Sequence, residues 1–329
     1  MGHDAEHGLV VDRVFAPGVS VAAWSRALGG WIAGGERGRV LKDDGATRVV
    51  AATLAGREVV VKRWTLRGLS KLKATLGAGR GARHWNGAAW LTRHKIATAP
   101  CLALAHESAG GARRDYLVME RLRGPSALEV LARGHRRDNR ARSGIGGHDG
   151  HDGQAGHDGR GGRDRLRGPE DPRHSHAAGS EPPGAIGVRE ELAIARELGR
   201  QVRRMIAHAR FNRDHKPSNL VVLSHAGRPS VAVIDCVAIL PLSRGGGAGA
   251  ALERTLASLY IEPLGVGVPP RRSLILSTLR AALWIEPAPG SVSIPARCRA
   301  KRRVRALWLA VAARVAAHGD PTPRVHPLA

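Results

Sequence analysis

Three short runs of apolar and β-branched residues, Gly38–Lys42, Arg48–Leu54 and Arg57–Trp64, follow one another with few polar residues between them. Ala55-Gly56 separates the second from the third, which is the length and composition of a two-residue hairpin turn. The pattern predicts a meander of antiparallel strands. A basic stretch follows, TLRGLSKLKATLGAGRGARHW (65–85). A helix is predicted over 82–94, with Trp85, Ala88 and Ala89 on one side and Pro100 as its limit. Cys101–His106 and Tyr116–Arg121 read as two more strands, and Ser126 is placed to cap a short helix over Ala127–Arg133.

The pattern then stops. Residues 134–188 hold 14 glycines, repeat HDG at 148–150, 151–153 and 157–159, and carry almost no apolar residues. Such a segment cannot offset the entropy of ordering it, so it reads as a disordered insertion. Its His-Asp repeats could bind a metal ion, but a low-complexity expansion without ligand is the favoured reading. Periodicity resumes at Val188, where Leu192, Ala195, Leu198, Val202, Ile206 and Ala209 recur at three- and four-residue steps and predict a helix of about twenty residues. Strands Leu220–Leu223 and Val231–Ile234 flank a turn at 226–229, and helices are predicted over 250–260, 271–284 and 302–318.

Strands, one helix, strands, then mostly helices make an α+β chain with a small β-rich lobe and a larger helical one. The expected organisation is an N-terminal extension (1–37), the β-rich lobe (38–121), a hinge exit with a first helix (122–133), the insertion (134–188) and the helical lobe (189–329). No run of eighteen or more apolar residues occurs, which argues against a membrane-spanning helix. The N-terminus has acidic residues and no apolar core, unlike a secretory signal, and Glu6 stands where a myristoylation site needs Ser or Thr. A cytoplasmic protein is expected. Cys101, Cys236 and Cys298 lie far apart without a CxxC spacing, so they read as reduced thiols.

The net charge is +24, yet all but seven of the 52 basic residues are Arg. With so much Ala and Gly, that skew is what a GC-rich coding sequence produces. The charge predicts attraction to anionic partners. Aromatics are too few to interleave with the basic residues, which argues against nucleic acid.

The informative chemistry lies between Arg213 and Asp235. Asp214 is followed by Lys216 and Asn219, then by strand, turn and strand ending in Asp235. Phosphoryl transfer needs a carboxylate to orient the attacking hydroxyl and a cation to steady the phosphoryl group. It also needs an amide oxygen and a second carboxylate to hold Mg²⁺ on the nucleotide. These four residues are of those types in that order, and the hairpin would return Asp235 to face Asn219. Each residue alone is ordinary in a surface turn; the ordered set is not.

FNRDHKPSNLVV and VAVIDCVAI resemble the catalytic loop and metal-binding segment of the protein-kinase-like fold. REVVVKRWTLRGLSKLKATLG and IATAPCLAL resemble the third strand, the basic stretch after it and the entry to the fourth strand of the Kdo/WaaP-type lipopolysaccharide kinase family. The resemblance covers about 38–133 and 189–260. It implies a two-lobed, protein-kinase-like fold and ATP- and Mg²⁺-dependent phosphorylation of a heptose or Kdo sugar in the lipopolysaccharide core, at the inner face of the inner membrane. Carried over by position, Asp214 is the base, Lys216 contacts the γ-phosphate, Asn219 and Asp235 bind Mg²⁺, and Lys62 contacts the α- and β-phosphates. The backbone of Glu120 and Leu122 would face adenine.

The chain also departs from that pattern. Asn212 replaces the usual His of the loop, and Cys236-Val237 replaces Phe-Gly after Asp235. No G-x-G-x-x-G precedes Lys62, so the phosphate-covering turn would be Asp43–Thr47, with the backbone amides of the turn (Gly45 and Thr47 among them) and the Thr47 side chain as contacts. The helix over 82–94 has no acidic residue to pair with Lys62; His84 takes that position. Two basic stretches, Lys62–Arg83 and Arg297–Arg305, could serve an acidic acceptor; the second, followed by the apolar run ALWLAVAA, could also rest on an anionic membrane surface, although a C-terminal lobe helix with a solvated end is the favoured reading. Two other readings share the same catalytic residues: a kinase acting on a protein Ser/Thr or a small molecule, and a pseudokinase that binds nucleotide without transfer.

Overall fold

The computed structural model describes residues 3–4, 9–15, 18–109, 111–145, 187–225, 228–284 and 294–318. The first lobe is a seven-stranded antiparallel sheet in the order β1-β2-β6-β7-β5-β4-β3. Its strands are β1 (His3–Asp4), β2 (Leu9–Val14), β3 (Arg39–Asp43), β4 (Thr47–Leu54), β5 (Arg57–Leu66), β6 (Cys101–Ala109) and β7 (Ala112–Glu120). The predicted meander is β3–β4–β5. Ala55 and Gly56 both take positive φ (49° and 73°), the two-residue turn whose twist matches the flanking strands.

Alternation along β5 sorts its side chains between two layers. Val59 and Val61 join Trp24, Leu28 and Trp31 on one face. Trp64 and Leu66 join the core that continues into the second lobe. Lys62 shares their parity and so points into the cleft. The helix carrying Trp24, Leu28 and Trp31 is α1 (Val21–Ala33), started by Ser20, whose Oγ accepts from the Ala23 N–H at 3.2 Å. The expected N-terminal extension is therefore corrected from residue 9 onward: β2 pairs with β6, and α1 covers the outer sheet face. The reason lies in the three-and-four spacing of those apolar residues, each of whose burial contributes about 2 kcal/mol.

Between β5 and β6 lie α2 (Gly68–Thr75), in the basic stretch, and α3 (Arg80–Arg93), close to the predicted helix. After β7 the chain crosses to the second lobe at Gly124. That glycine lies so near the next lobe that a Cβ would overlap the Val222 carbonyl and come within 3.2 Å of Val221 Cγ1. Helix α4 runs from Ala127 to Ile145, which corrects the expected end at Arg133 and the start of the insertion at 134. The polar extension is held by ions rather than by apolar burial: Arg137 donates to Glu191 at 2.9 Å, and Asp138 accepts from Arg271 at 3.0 Å. The HDG repeats, and the rest of the expected insertion as far as 186, lie outside the described residues.

The second lobe is built on α5 (Val188–Ala207), α6 (Ala248–Gly265), α7 (Arg272–Ala282) and α8 (Ile294–Ala317). Ile194, Leu198, Val202 and Met205 form the buried stripe of α5. Two small antiparallel strand pairs sit in front of it: β8 (Arg210–Asn212) with β11 (Ile239–Pro241), and β9 (Leu220–His225) with β10 (Arg228–Val233). The apolar side of α8 (Val304, Leu307, Val311) is buried in the same core, so that face is not free to lie on a membrane. Among the described residues no helix is long and apolar enough to cross a membrane. Antiparallel sheet, packed helix, short hinge and mainly helical second lobe make the two-lobed α+β arrangement that the element order predicts.

Candidate active site

The loop between β8 and β9 is held from beneath by buried polar side chains. Asn212 Oδ1 accepts from the Asp214 N–H at 3.0 Å, and its Nδ2 lies 3.5 Å from His215 Nδ1. Both side chains are fully buried. Burial pushes His215 down to about 4, so it is neutral near pH 7. Asn212 thus does by an amide what a loop histidine would do, fixing the main chain at Asp214. A single 3-10 turn, Pro217–Asn219, then brings Asn219 back: its Nδ2 donates to the Asp214 carbonyl at 3.2 Å and to Asp214 Oδ2 at 3.3 Å. Lys216 Nζ lies 3.9 Å from Asp214 Oδ1. Three of the expected residues therefore meet within one loop.

Glu262 of α6 holds this loop from the far side. Its carboxylate accepts from the Ser218 N–H at 2.8 Å and the Ser218 hydroxyl at 2.6 Å. Sequence reasoning missed it, because a clamp across 44 residues leaves no local spacing to read.

Asp235 arrives by way of β10. The Ile234 N–H donates to the Asn219 carbonyl at 2.9 Å, which sets Asp235 beside the loop. The first lobe grips the same strand end. The Val233 N–H donates to the Ala97 carbonyl at 2.9 Å, and Thr98 Oγ1 donates to the Val233 carbonyl at 2.7 Å. Lys62 Nζ reaches across from β5 to donate to the Ile234 carbonyl at 3.0 Å. Burial would raise the Asp235 carboxyl, but Lys62, His84, the Val237 N–H and Lys216 outweigh it, and the group lies below the usual carboxylate range. It is ionised near pH 7.

No carboxylate pairs with Lys62 among the described residues. His84 of α3 lies at the expected partner's place, fully buried, with Nδ1 3.7 Å from Asp235 Oδ1. Burial first, then the Lys62 charge, push it down to about 3, so it stays neutral. Neither ring nitrogen has a hydrogen-bond partner. Helix α3 comes this close because of Gly87, where a Cβ would overlap the Cys236 carbonyl and stand 3.0 Å from the Cys236 Cβ.

The residues expected on the nucleotide side lie apart from this cluster. Glu120 and Leu122 stand where the sheet leaves for the second lobe. The Glu120 N–H is committed to the Pro100 carbonyl at 2.9 Å, so of its two backbone groups only the carbonyl could face a base. The β3–β4 turn is closed on itself. The Gly45 N–H donates to Asp43 Oδ1 at 3.1 Å and the Thr47 N–H to Asp44 Oδ1 at 2.6 Å, so these two amides are engaged within the turn. The cause is local: Asp is the side chain best suited to take up the amides of its own turn.

Positive charge gathers beside Asp214. Burial, and then the guanidinium groups of Arg80, Arg213 and Arg244, hold Arg83 below the usual range. None of the four has a carboxylate at ion-pair distance among the described residues. The donors suit a hard divalent cation: the Asn219 side-chain oxygen makes no hydrogen bond among the described residues, and the Asp235 carboxylate is ionised. No group of three or more His, Cys, Asp or Glu gathers among those residues.

No family model and no curated protein matches the chain. A solved structure described as WaaP in complex with acyl carrier protein aligns with 91% of this chain and 99% of its own, at a TM-score of 0.48 and 17% identity.

Proposed function

We propose that the chain is an ATP-dependent phosphotransferase resembling the lipopolysaccharide core kinases, moving the γ-phosphate of ATP to a sugar hydroxyl. The observation that carries this reading is the reach of Lys62 to the main chain just before Asp235, 172 residues away. It joins a lysine of the sheet to the end of β10, beside the loop that carries Asp214, Lys216 and Asn219, and a transferred phosphoryl group needs such cations and carboxylates around it.

In this reading Asp214 orients the acceptor hydroxyl and accepts its proton, with its main chain fixed by Asn212. Lys216 neutralises charge on the γ-phosphate, and Lys62 binds the α- and β-phosphates. Asn219 and Asp235 would hold Mg²⁺, which when bound neutralises charge on the phosphate oxygens. Adenine would lie against the Glu120 carbonyl and Leu122. The Thr47 hydroxyl remains a candidate phosphate contact, whereas the Gly45 and Thr47 amides would have to leave Asp43 and Asp44 first. Arg80, Arg83, Arg213 and Arg244, without carboxylates of their own, suit an acceptor that is itself anionic. This favours a phosphorylated glycolipid over a neutral small molecule or an uncharged protein serine.

A second reading, a nucleotide-binding scaffold, is favoured by the absent carboxylate partner of Lys62. One experiment separates the readings: radiolabelled ATP and Mg²⁺ with lipopolysaccharide from the source cells, using wild type, Asp214→Asn and Asp235→Ala. Label in the glycolipid with wild type alone is expected, with ATP binding retained by Asp214→Asn. ATP binding without transfer to any glycolipid would overturn the acceptor, and full activity of Asp214→Asn would overturn the base.

A further inference from the structure

Helix α2 turns its apolar residues away from the protein. Leu69, Leu72 and Leu76 are 76%, 55% and 74% exposed. At 3.6 residues per turn the three fall within an arc of roughly 60°, and Ala74, on the opposite side, is the residue buried against the lobe. The helix is seated firmly in that pose. Lys71 Nζ donates to the Gly111 carbonyl at 2.9 Å. At the C-terminus Gly77, with φ of 72°, closes a Schellman turn: the Gly77 N–H donates to Ala74 at 3.0 Å and the Ala78 N–H to Lys73 at 2.8 Å. The leucines are therefore held outward rather than left over from a loose segment.

The surroundings carry one sign of charge. From residue 59 to residue 106 the chain has nine Lys and Arg and no Asp or Glu. Arg67, Lys73 and Arg80, just before, within and just after α2, are exposed and without a carboxylate partner among the described residues. An apolar ridge with basic flanks is complementary to an anionic bilayer, where leucines enter the acyl boundary and long basic side chains reach the phosphates. A protein partner fits less well. Three leucines on one helix offer on the order of a few hundred Å², below the ~800 Å² per partner of a standard specific interface.

We propose that α2 is a membrane-docking ridge, with Leu69, Leu72 and Leu76 inserted at the headgroup–acyl boundary of an anionic bilayer and Arg67, Lys73 and Arg80 among the lipid phosphates. This docking stands without the phosphotransfer reading. Its consequence for the cleft rests on that reading: α3 continues directly from α2 and carries Arg80 and Arg83 beside the Asp214 loop, so docking would present that loop to a membrane-borne acceptor.

The test is flotation of the full chain with vesicles of phosphatidylcholine alone and of phosphatidylcholine with about one third phosphatidylglycerol. Wild type is expected to float only with the anionic vesicles, and less at high salt. Leu69→Ser/Leu72→Ser/Leu76→Ser should weaken the partition about tenfold or more while keeping the wild-type melting temperature, since the leucines are exposed. Arg67→Glu/Lys73→Glu should weaken it as well. Leu309→Ser, which alters an exposed leucine of α8, should leave it unchanged. Wild-type binding by the triple variant, or loss on Leu309→Ser, would overturn the proposal. So would a wild type that ignores anionic vesicles but loses self-association in light scattering when the leucines are changed. ATP turnover on a soluble acceptor, measured in parallel, reports the catalytic reading separately.

Discussion

Gly87 sits in the middle of α3, where glycine is a poor choice for a helix. Replacing it by Ala should gain about 1 kcal/mol of helix propensity. Against that gain stands the Cys236 main chain. The new Cβ would overlap the Cys236 carbonyl and lie 3.0 Å from its Cβ and 3.2 Å from its carbonyl carbon, closer than ordinary contact. The obstacle is backbone, fixed on one side by the Thr98–Val233 tie and on the other by the Asp214 loop. Helix and strand must therefore separate by about 1 Å, and overpacking of that kind costs about 1–3 kcal/mol or more. The net effect of Gly87→Ala should be a loss of about 1–2 kcal/mol, or roughly 1.5–4 °C in Tm for a chain of this size. Gly30→Ala is the matched comparison. Gly30 is also helical, in α1, and a Cβ there meets nothing within 4 Å, so the same substitution should raise Tm by about 1–2 °C. Thermal unfolding of both variants measures the difference. Nucleotide binding in the presence of Mg²⁺ should weaken for Gly87→Ala alone, because α3 carries His84 against Asp235. A Gly87→Ala protein that melts at or above wild type would refute the close packing of α3 on the Asp235 segment.

Other consequences follow from the buried polar groups. His215 has a folded pKa of about 4 against about 6.5 when unfolded, so unfolding takes up a proton between those values. Its contribution to stability is complete above pH 6.5 and is lost as pH falls toward 4; His84 acts in the same direction, down to about 3. A Tm that stays level from pH 7 to 5 would contradict this, and His215→Asn should flatten the slope. Glu262→Gln leaves the Ser218 clamp with a weaker acceptor and should cost about 1.5–3 kcal/mol of stability. It should lower kcat more than the affinity for ATP, and equal losses in both would argue against a loop-positioning role. Burial pushes the Cys101 and Cys236 thiols up to about 12, whereas Cys298 is exposed. A thiol reagent should therefore label Cys298 in the native chain, and labelling of all three at similar rates would show that the lobes open.

The strands, the long helices and the Asp214 loop were legible because each has a local signature. Period-two runs ended by Ala55-Gly56 gave the meander, and three-and-four spacing gave α5. What the sequence hid is what depends on distant partners. Helix α1 looks like part of a mixed leader until β2 is paired with β6 and the outer sheet face needs a cover. Helix α4 runs past Arg133 because Glu191 and Arg271, far along the chain, supply its ion pairs. The β3–β4 turn was read as a phosphate cradle, yet the same aspartates that mark a turn also fill its amides. The position of His84 was visible in the sequence. That it is buried, neutral and faces Asp235 needed the fold.

The bond from Lys62 to the Ile234 carbonyl has a bearing on control. Where a lysine of this kind depends on a helix carboxylate, swinging the helix away makes and breaks an ion pair and so gives an on–off device. Here the helix offers only an uncharged ring, and Lys62 is anchored to main chain that no rotation of α3 would remove. On the proposed phosphotransfer reading, a swing of α3 would break no ion pair of Lys62, and the output would follow the supply of nucleotide and acceptor rather than the pose of that helix.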